Sequence, residues 1–319
     1  MRVDTRAEAS YRRGVSAEHG TKHIVQSLAV NTIIAAAKLV AAVFTKSGSM
    51  LAEGIHSTAD CGNQLLLLWG VREGHRPADV KHPLGYGRSV YFWSFMVALL
   101  LFTGGGVFSI YEGVHKLLHP EPIDHAEWAI GILGASLLLE GWATVGNIRE
   151  LNRRRASKSF FRFLRDTKDS DLVVVFGENA AAVLGLVIAL GSIALTIAID
   201  DPRIDGAGSL LVGLVLVAVA VFLAVEVKSL LVGESADPSI SLAAEELAVV
   251  DARVRHVVSC VTMQQGPGEV LVALKIKCEP ALSALDISNL INEFEGRLRA
   301  KCPEAKWIYV EPDLTLTSE

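Results

Sequence analysis

The sequence predicts a membrane all-α protein with six transmembrane helices, joined at its C-terminal end to a small α+β domain. Three observations lead to this fold class. Hydrophobic residues make up 51% of the 319-residue chain, charged residues only 20%, and the mean hydropathy is +0.39. Six apolar segments are each long enough to cross a bilayer, which takes about 20 residues. After Val232 the apolar runs shorten and charged residues return.

The six predicted spans follow one another closely, so a membrane domain is expected over residues 23–232. The shortest connections are residues 45–49, between the first two spans, and residues 200–203, between the last two. Each span is predicted from its run of apolar residues, and its boundaries are approximate. In chain order the predicted spans cover Ile24–Phe44, Met50–Val71, Tyr91–Leu118, Trp128–Asn147, Val173–Ile199 and Ile204–Val227.

Lysine and arginine residues are concentrated in alternate connections, which predicts the orientation. They are frequent in residues 1–22, between residues 72 and 88, and between residues 149 and 168. Basic connections stay on the cytoplasmic side, so both termini are predicted to face the cytoplasm, as in a multi-pass protein of the inner or plasma membrane. Residues 1–22 then form a cytoplasmic N-terminal tail. The remaining connections contain few basic residues, namely Lys46, Lys116 and Arg203.

Residues 233–319 are predicted to fold into a cytoplasmic α+β domain of ferredoxin-like type. The apolar spacing changes between the periods of helices and strands, and Gly266-Pro267-Gly268 marks a hairpin turn. A domain of about 85 residues is near the lower limit for independent stability, so we expect it to act as a dimer contact. The predicted order is αββαβ, with elements at Leu242–Val250, His256–Gln265, Glu269–Cys278, Ser283–Cys302 and Lys306–Val310.

A cluster of ionisable side chains lies inside the second predicted span. Glu53, His56 and Asp60 are separated by three, four and seven positions, so a helix places all three on one face. A charge at mid-bilayer depth costs at least ~2.5–3.5 kcal/mol, and such acids therefore line a cavity, form a pair or hold an ion. A bound cation is the simplest compensation, and imidazole with carboxylate suits zinc, iron(II), cobalt or manganese. The structural alternative is a mutual hydrogen bond between His56 and Asp60.

Composition and motif content argue against other classes of function. The formal net charge of −5 gives no reason to expect nucleic-acid binding. The four cysteines show no CxxC spacing, so neither a disulfide framework nor a zinc-finger pattern is indicated. No HExxH pattern and no paired nucleophile occur, so the chain is not expected to be an enzyme, and no resident cofactor is expected.

Four motifs spread along the chain resemble those of the cation diffusion facilitator family of divalent-metal/proton antiporters. They are SGSMLAEGIHSTAD (Ser47–Asp60), PADVKHPLGYGR (Pro77–Arg88), YEGVHKLLHPEPI (Tyr111–Ile123) and GENAAAVLGL (Gly177–Leu186). The resemblance covers nearly the whole chain, six spans followed by a cytoplasmic α+β domain. The stretch Phe160–Asp171 resembles the long connection of one branch, which includes a mitochondrial zinc transporter.

The resemblance implies a tetrahedral transport site with two ligands on the second span and two on the fifth. It places the second-span ligands at His56 and Asp60, one helical turn apart. The fifth-span pattern falls on Val175 and Asn179, and valine cannot bind a metal. Glu178, next to Asn179, can supply the missing carboxylate. The implied metal ligands are therefore His56, Asp60, Asn179 and Glu178, with an interhelical hydrogen bond as the alternative role for the last two.

Three further residues are secondary candidates for the transport pathway. Glu53 is expected to be an outer ligand or proton acceptor, or else a polar residue lining a water-filled entry. Asp79 and His82 match a second, cytoplasmic metal site of some family members, but a lysine between them disfavours a cation, and a solvated loop is the alternative. Structural roles are predicted for Lys38 and Glu140, the latter by pairing with a basic or amide group of a neighbouring span.

Together, these features predict a homodimeric secondary transporter that exports a divalent cation, by default zinc, from the cytoplasm in exchange for protons. Its partners would be a second copy, membrane lipids around Arg153–Arg155, and the transported metal ion. His256 is the only histidine after Ser235, so no regulatory zinc cluster is expected in the C-terminal domain. The alternative is a membrane metal sensor or scaffold without turnover, which vesicle flux would distinguish from a transporter.

Overall fold

The computed structural model describes residues 28–29, 31–155, 159–167 and 170–313. The predicted N-terminal tail and the start of the first predicted span lie outside these residues. Helices fill most of the chain up to residue 249, and strands appear only after it within the described part. The elements are α1 (Asn31–Thr45), α2 (Gly48–Gly74), α3 (Ser89–Leu100), a π segment (Leu101–Val107), α4 (Phe108–Leu118), α5 (Ala126–Arg154), α6 (Phe160–Asp166), α7 (Ser170–Ile199), α8 (Arg203–Val232), α9 (Pro238–Val249), β1 (Val254–Gly266), β2 (Glu269–Cys278), α10 (Ala284–Lys301) and β3 (Ala305–Asp313).

Four helices of the described chain are long and apolar enough to cross a membrane. They cover Ser89–Leu118, Ala126–Arg154, Leu172–Ile199 and Arg203–Val232. The helix α1 is apolar but shorter over its described residues. At 27 residues, α2 is about 40 Å long, but polar side chains interrupt its apolar sequence. The four long helices establish a helical membrane domain.

The long helix formed by α3 and α4 contains the π segment at its centre. This segment includes three consecutive glycines, Gly104–Gly106, and two of them are buried. Gly106 lies against α8, where an added Cβ would come within 3.2 Å of the backbone nitrogen of Val217. Only glycine therefore allows this close approach of two backbones. Single π turns inside α-helices occur frequently at functional sites.

The first turn of α2 is capped by a side chain from α8. Asp205 accepts hydrogen bonds from the backbone N–H groups of Gly48 at 2.6 Å and Ser49 at 3.2 Å. The hydroxyl of Ser47 donates to the same carboxylate at 2.7 Å, and the Ser49 hydroxyl also does so. Lys116 of α4 lies 3.6 Å from Asp205. One buried carboxylate thus satisfies the free donors at a helix N-terminus and compensates a buried lysine.

The described residues form two compact units. The first contains the described residues up to Leu68 together with Met96–Arg154 and Val174–Leu223. The second contains Trp69–Phe95, the described part of residues 155–173, and residues 224–313. Within the second unit, Arg88 donates to the backbone oxygen of Leu231 at 2.8 Å, which ties the loop before α3 to the end of α8.

The C-terminal part of the second unit has the predicted element order αββαβ. The sheet order is β1-β2-β3, with β1 and β2 antiparallel and β2 and β3 parallel. Alternate residues of β2, from Val270 to Cys278, are buried under α9 and α10, which pack against each other. Period-two burial of a strand and a buried stripe on each helix produce one shared two-layer core.

Local sequence signals determine where these elements begin and turn. Asp237 caps α9 through the backbone N–H of Ser239, and Pro238 occupies the first helical position. Ser283 and Asp286 form a reciprocal capping box at the start of α10. Between β1 and β2, Pro267 precedes Gly268, whose φ of 67° suits the third position of a type II turn.

Candidate metal site

The polar face of α2 carries the two ligands predicted for the second span. His56 is completely buried, and its Nδ1 lies 3.6 Å from Oδ1 of Asp60, whose side chain is 21% exposed. Asn63, one turn further along the same face, is also buried. The separation between His56 and Asp60 exceeds hydrogen-bond length, so the mutual hydrogen bond considered as the structural alternative is not formed.

Several buried polar atoms on this face have no hydrogen-bond partner among the described residues. They are Nδ1 and Nε2 of His56, Oδ1 of Asp60, Oδ1 of Asn63 and Oε1 of Gln64. Buried polar atoms are normally hydrogen-bonded, and each one left unsatisfied costs about 1–3 kcal/mol. A run of such atoms within two and a half helical turns marks a place where a bound cation or water would be stabilised.

The helix α7 brings one predicted fifth-span ligand to this face of α2. The side chain of Glu178 is buried, and its Oε1 accepts a hydrogen bond from Nδ2 of Asn63 at 2.6 Å. The carboxylates of Glu178 and Asp60 are close enough to repel each other electrostatically. Two like charges that are buried near one another favour a shared cation.

The side chains at the other two predicted fifth-span positions are less buried than that of Glu178. Asn179 is half-buried, and Val175 is 37% exposed. Within the described ranges, no group of three His, Cys, Asp or Glu side chains converges on one point in a metal-ready arrangement. The structure therefore brings together His56, Asp60, Asn63 and Glu178 pairwise, without a closed coordination shell.

A second buried charged cluster surrounds Lys38 of α1. Its Nζ donates to Oε2 of Glu53 at 3.2 Å, to the hydroxyl of Ser57 at 2.8 Å and to Oε1 of Glu140 at 3.0 Å. Lys38 and Glu53 are fully buried, and the side chain of Glu140 is 21% exposed. The cluster links α1, α2 and α5 through three charge-assisted hydrogen bonds, which are the stronger kind in a region shielded from water.

The Lys38 cluster shows the charged partners of Glu53 and Glu140, two residues for which the sequence left the role open. Glu140 pairs with a basic group of another helix, as predicted. Glu53 lies on the predicted face of α2, but its charge is matched by Lys38. Its other oxygen faces α7, where a Cβ added at Gly185 would overlap Oε1 of Glu53. Glycine at this position leaves room for the buried carboxylate.

Asp79 and His82, the candidates for a second metal site, lie in an ordered loop of the second unit. Asp79 accepts hydrogen bonds from the backbone N–H groups of Lys81 at 2.9 Å and His82 at 2.7 Å. Its other oxygen accepts from the Tyr86 hydroxyl at 2.7 Å, and the His82 ring packs 4.2 Å from the Tyr86 ring. Chiefly because of the Tyr86 hydrogen bond, the pKa of Asp79 lies below its ordinary value. Both carboxylate oxygens are thus occupied by the loop itself.

Two residues of the site were not identified from the sequence. Asn63 follows Asp60 by three positions and His56 by seven, and Gln64 follows Asp60 by four. The same helical period that singled out the acids therefore also marks these amides. Asn63 and Gln64 were missed because only ionisable side chains of this helix were considered as ligands, and both of these are neutral amides.

Comparisons with known proteins agree with the membrane fold. Residues 24–232 match the cation efflux transmembrane domain family. The chain is 36% identical over 292 residues to the mitochondrial proton-coupled zinc antiporter SLC30A9 of Xenopus laevis, covering 89% of this chain and 52% of that relative. Identity to the human protein of the same name is 34% over 251 residues, or 78% of this chain and 44% of the relative.

A plant relative extends the comparison. Metal tolerance protein C4 of Arabidopsis thaliana is 30% identical over 268 residues, covering 83% of this chain and 58% of the relative. The chain spans about half the length of these curated relatives. The family match covers all four long helices and all of α2. The chain is thus an integral membrane protein that belongs to the cation efflux, or cation diffusion facilitator, family, in the branch that contains the mitochondrial zinc antiporters.

Proposed function

We propose that the protein is a secondary transporter that moves a divalent transition-metal cation, by default zinc, out of the cytoplasm in exchange for protons. Membership of the cation efflux family supports a metal cation as the substrate. The relatives named as proton-coupled zinc antiporters support zinc and proton exchange. The protein is then a carrier that returns to its starting state without chemical change of its substrate, and it is not an enzyme.

One observation carries the proposal, namely that a buried acid and a largely buried acid lack a lysine or arginine partner within the described residues. Among the described residues, neither Asp60 nor Glu178 forms an ion pair with lysine or arginine, although both lie inside long helices. A buried carboxylate without a partner costs several kcal/mol. A divalent cation held by His56, Asp60, Glu178 and the amide of Asn179 would remove this cost.

Proton exchange follows from competition for the same atoms. A metal ion binds to neutral imidazole and ionised carboxylate, so metal binding releases protons and proton binding releases metal. His56 and Asp60 supply one nitrogen and one oxygen ligand, a combination that suits zinc. At most two negative charges, from Asp60 and Glu178, face the divalent ion, which favours reversible loading.

The architecture that we propose for transport has six spans. In it α1 and α2 cross the membrane in addition to the four long helices, and the basic connections keep both termini in the cytoplasm. We interpret the C-terminal αββαβ unit as a ferredoxin-like fold without its first strand. When that strand is missing, the last strand is expected to pair in parallel with the second strand of the hairpin, and β3 pairs in parallel with β2. We assign to this unit the dimer contact of a homodimer, since about 85 residues make a marginal independent domain.

For the loop before α3 we propose a structural role. Asp79 closes the loop through hydrogen bonds to two backbone N–H groups and to Tyr86, and these bonds leave little capacity for a metal. Replacing Asp79 with Asn should then leave metal flux close to that of the wild type. A loss of flux as severe as that of Asp60→Asn would instead favour a second metal site at Asp79 and His82.

Flux in proteoliposomes with an imposed pH gradient tests the transport proposal. Wild type should show metal flux that depends on the gradient, measured across a panel of zinc, iron(II), cobalt, nickel and manganese. Asp60→Asn and Asn179→Ala should reduce zinc flux, with Asp60→Asn losing more than about 100-fold, because even groups that only orient metal ligands contribute 10–100-fold. The matched control is Asp200→Asn, since Asp200 is an exposed acid and Asn tolerates its φ of 61°.

Two results would contradict the proposal. Equal zinc flux in wild type and Asp60→Asn would remove Asp60 from the pathway. Zinc binding by the purified protein without any flux would instead identify a membrane metal sensor or scaffold, which uses the same side chains without turnover.

A further inference from the structure

A pair of histidines lies at the C-terminal end of α4. His115 and His119 are both exposed and stand one helical turn apart. The backbone N–H of His119 still donates to the oxygen of His115 at 2.8 Å, so the helical spacing holds up to His119. The centres of their rings are 5.1 Å apart, with an angle of 33° between the ring planes.

This spacing suits two imidazoles that bind one metal ion. With zinc–nitrogen bonds of about 2.0–2.1 Å and tetrahedral angles, two bound rings have their centres roughly 5 Å apart. Within the part of the chain that the structure describes, no hydrogen bond or ion pair occupies either imidazole. The Tyr111 ring also stacks on His115, with ring centres 6.2 Å apart, but this contact uses the ring face and leaves the imidazole nitrogens available to an ion.

The surroundings of the pair favour cations and water. The helix from Ser89 to Leu118 has 30 residues and is about 45 Å long, whereas the hydrocarbon core of a bilayer is about 30 Å thick. The helix is thus about 15 Å longer than the core, and the exposed residues 118–122 at its C-terminal end are assigned to that excess. Lys116, next to His115, is paired with Asp205, and Lys46 lies near Glu121. Glu112 and Glu121, within three residues of the pair, add negative charge. Such charge raises the local concentration of divalent cations.

We propose that His115 and His119 form a surface binding site for a divalent transition metal of borderline softness, such as zinc, nickel or copper(II). Imidazole is the shared ligand for these ions, and water completes the coordination shell. The site is separate from that of His56 and Asp60. In the topology of the proposed function, it faces the compartment that receives the exported metal, and this last assignment rests on that function.

Equilibrium dialysis of the purified full-length protein against zinc tests the site. His115→Gln and His119→Gln should each bind one zinc ion fewer per chain than wild type. The matched control is His125→Gln, because His125 is also exposed but lies 3.6 Å from Glu127 and outside the helical pair. This control should keep the wild-type stoichiometry. Equal stoichiometry in wild type, His115→Gln and His119→Gln would overturn the proposal.

A second background separates this site from the transport site. In Asp60→Asn, the zinc ion assigned to the pair should remain and should disappear when His115→Gln is added. Zinc flux is measured in parallel on the same preparations. If the pair binds zinc but neither the wild type nor any variant transports it, the transport proposal fails and this one stands. If flux is intact but the number of bound ions does not depend on His115 or His119, this proposal fails alone.

Discussion

Two buried charged clusters lie on the same helix, two turns apart, and they are compensated differently. Glu53 is paired with Lys38, which also binds Glu140, so this cluster contains its own cation. Within the described residues, Asp60 has no lysine or arginine at ion-pair distance; it has the ring of His56 at 3.6 Å, the like charge of Glu178 nearby, and only a longer-range attraction to Lys38. The comparison teaches that burial of acids alone does not indicate a site. The informative feature is that, in the described part of the chain, a lysine contacts the acid at one of these two places and not at the other.

The largest effect should come from removing the internal cation. Lys38→Met leaves Glu53 and Glu140 buried without a positive partner, which we expect to lower the free energy of unfolding by about 3–5 kcal/mol. Thermal unfolding of the purified protein, followed by tryptophan fluorescence, measures this. The control is Lys46→Met, whose pair with Asp124 is about half exposed and should contribute less than about 1 kcal/mol. Equal changes in Tm for the two variants would show that the Lys38 cluster does not stabilise the fold.

The acid without a cation should behave in the opposite way. Without metal, Asp60→Asn should be as stable as wild type or more so, because it removes an uncompensated buried charge. With His115→Gln present in every protein, so that the histidine pair adds nothing, zinc at about 100 times its Kd should stabilise the protein with Asp60 by about 2.7 kcal/mol, and Asp60→Asn should lose this gain. The measurement is Tm with and without zinc, with Asp200→Asn as control. An equal zinc-induced rise in all three proteins would place the bound ion elsewhere.

A smaller effect is expected from changing the ligand type at the site. His56→Asp replaces a nitrogen ligand with an oxygen ligand and should shift preference from zinc toward manganese by about tenfold, or 1.4 kcal/mol. Competition between the two metals during vesicle uptake measures the ratio. Identical uptake profiles for wild type and variant would remove His56 from the first coordination shell. A shift confined to total rate, without a change in ratio, would give it a structural role.

The smallest effect concerns Asp251, an acid that is hydrogen-bonded to two arginine side chains, which stay charged at all pH values considered. The pKa of Asp251 is held well below its usual range, chiefly by the hydrogen bond from Arg253 and also by one from Arg297. A depressed folded pKa stabilises the fold above the unfolded value of about 3.9, and this contribution is lost as pH falls further.

Asp251→Asn should therefore cost about 1 kcal/mol at neutral pH, and the difference from wild type should shrink below about pH 4. Measuring the Tm of both proteins between about pH 3 and pH 7 follows this change. Glu279→Gln is the control, because its pair with Arg255 is exposed on both sides and contributes little. A difference from wild type that does not depend on pH would assign the effect to packing.

The parts of the molecule that follow local periodicity could be predicted from the sequence. The polar face of α2 follows from three offsets, and the αββαβ order follows from a turn signal and from changes of period. The predicted strand Glu269–Cys278 coincides with β2. These features depend on neighbours within a few residues, where helix and strand geometry determines which side chains share a face.

The remaining features depend on contacts between distant parts of the chain. Lys38 and Glu140 are 102 positions apart, and Asn63 and Glu178 are 115 positions apart. No periodic pattern along one helix indicates which other helix lies opposite. The pairing of Glu53 with Lys38 could not be distinguished from a role as metal ligand for this reason. Metal ligation by His56, Asp60, Asn179 and Glu178 stays a prediction.

The cap that Asp205 provides for α2 has a mechanical consequence. Since it joins the first residues of α2 to the start of α8, α2 has a fixed pivot near Gly48. Asp60 is twelve residues from that pivot, about 18 Å along the helix axis, so a tilt of ten degrees would displace it by about 3 Å. Such a lever moves a carboxylate by a full coordination distance while the anchored end stays in place.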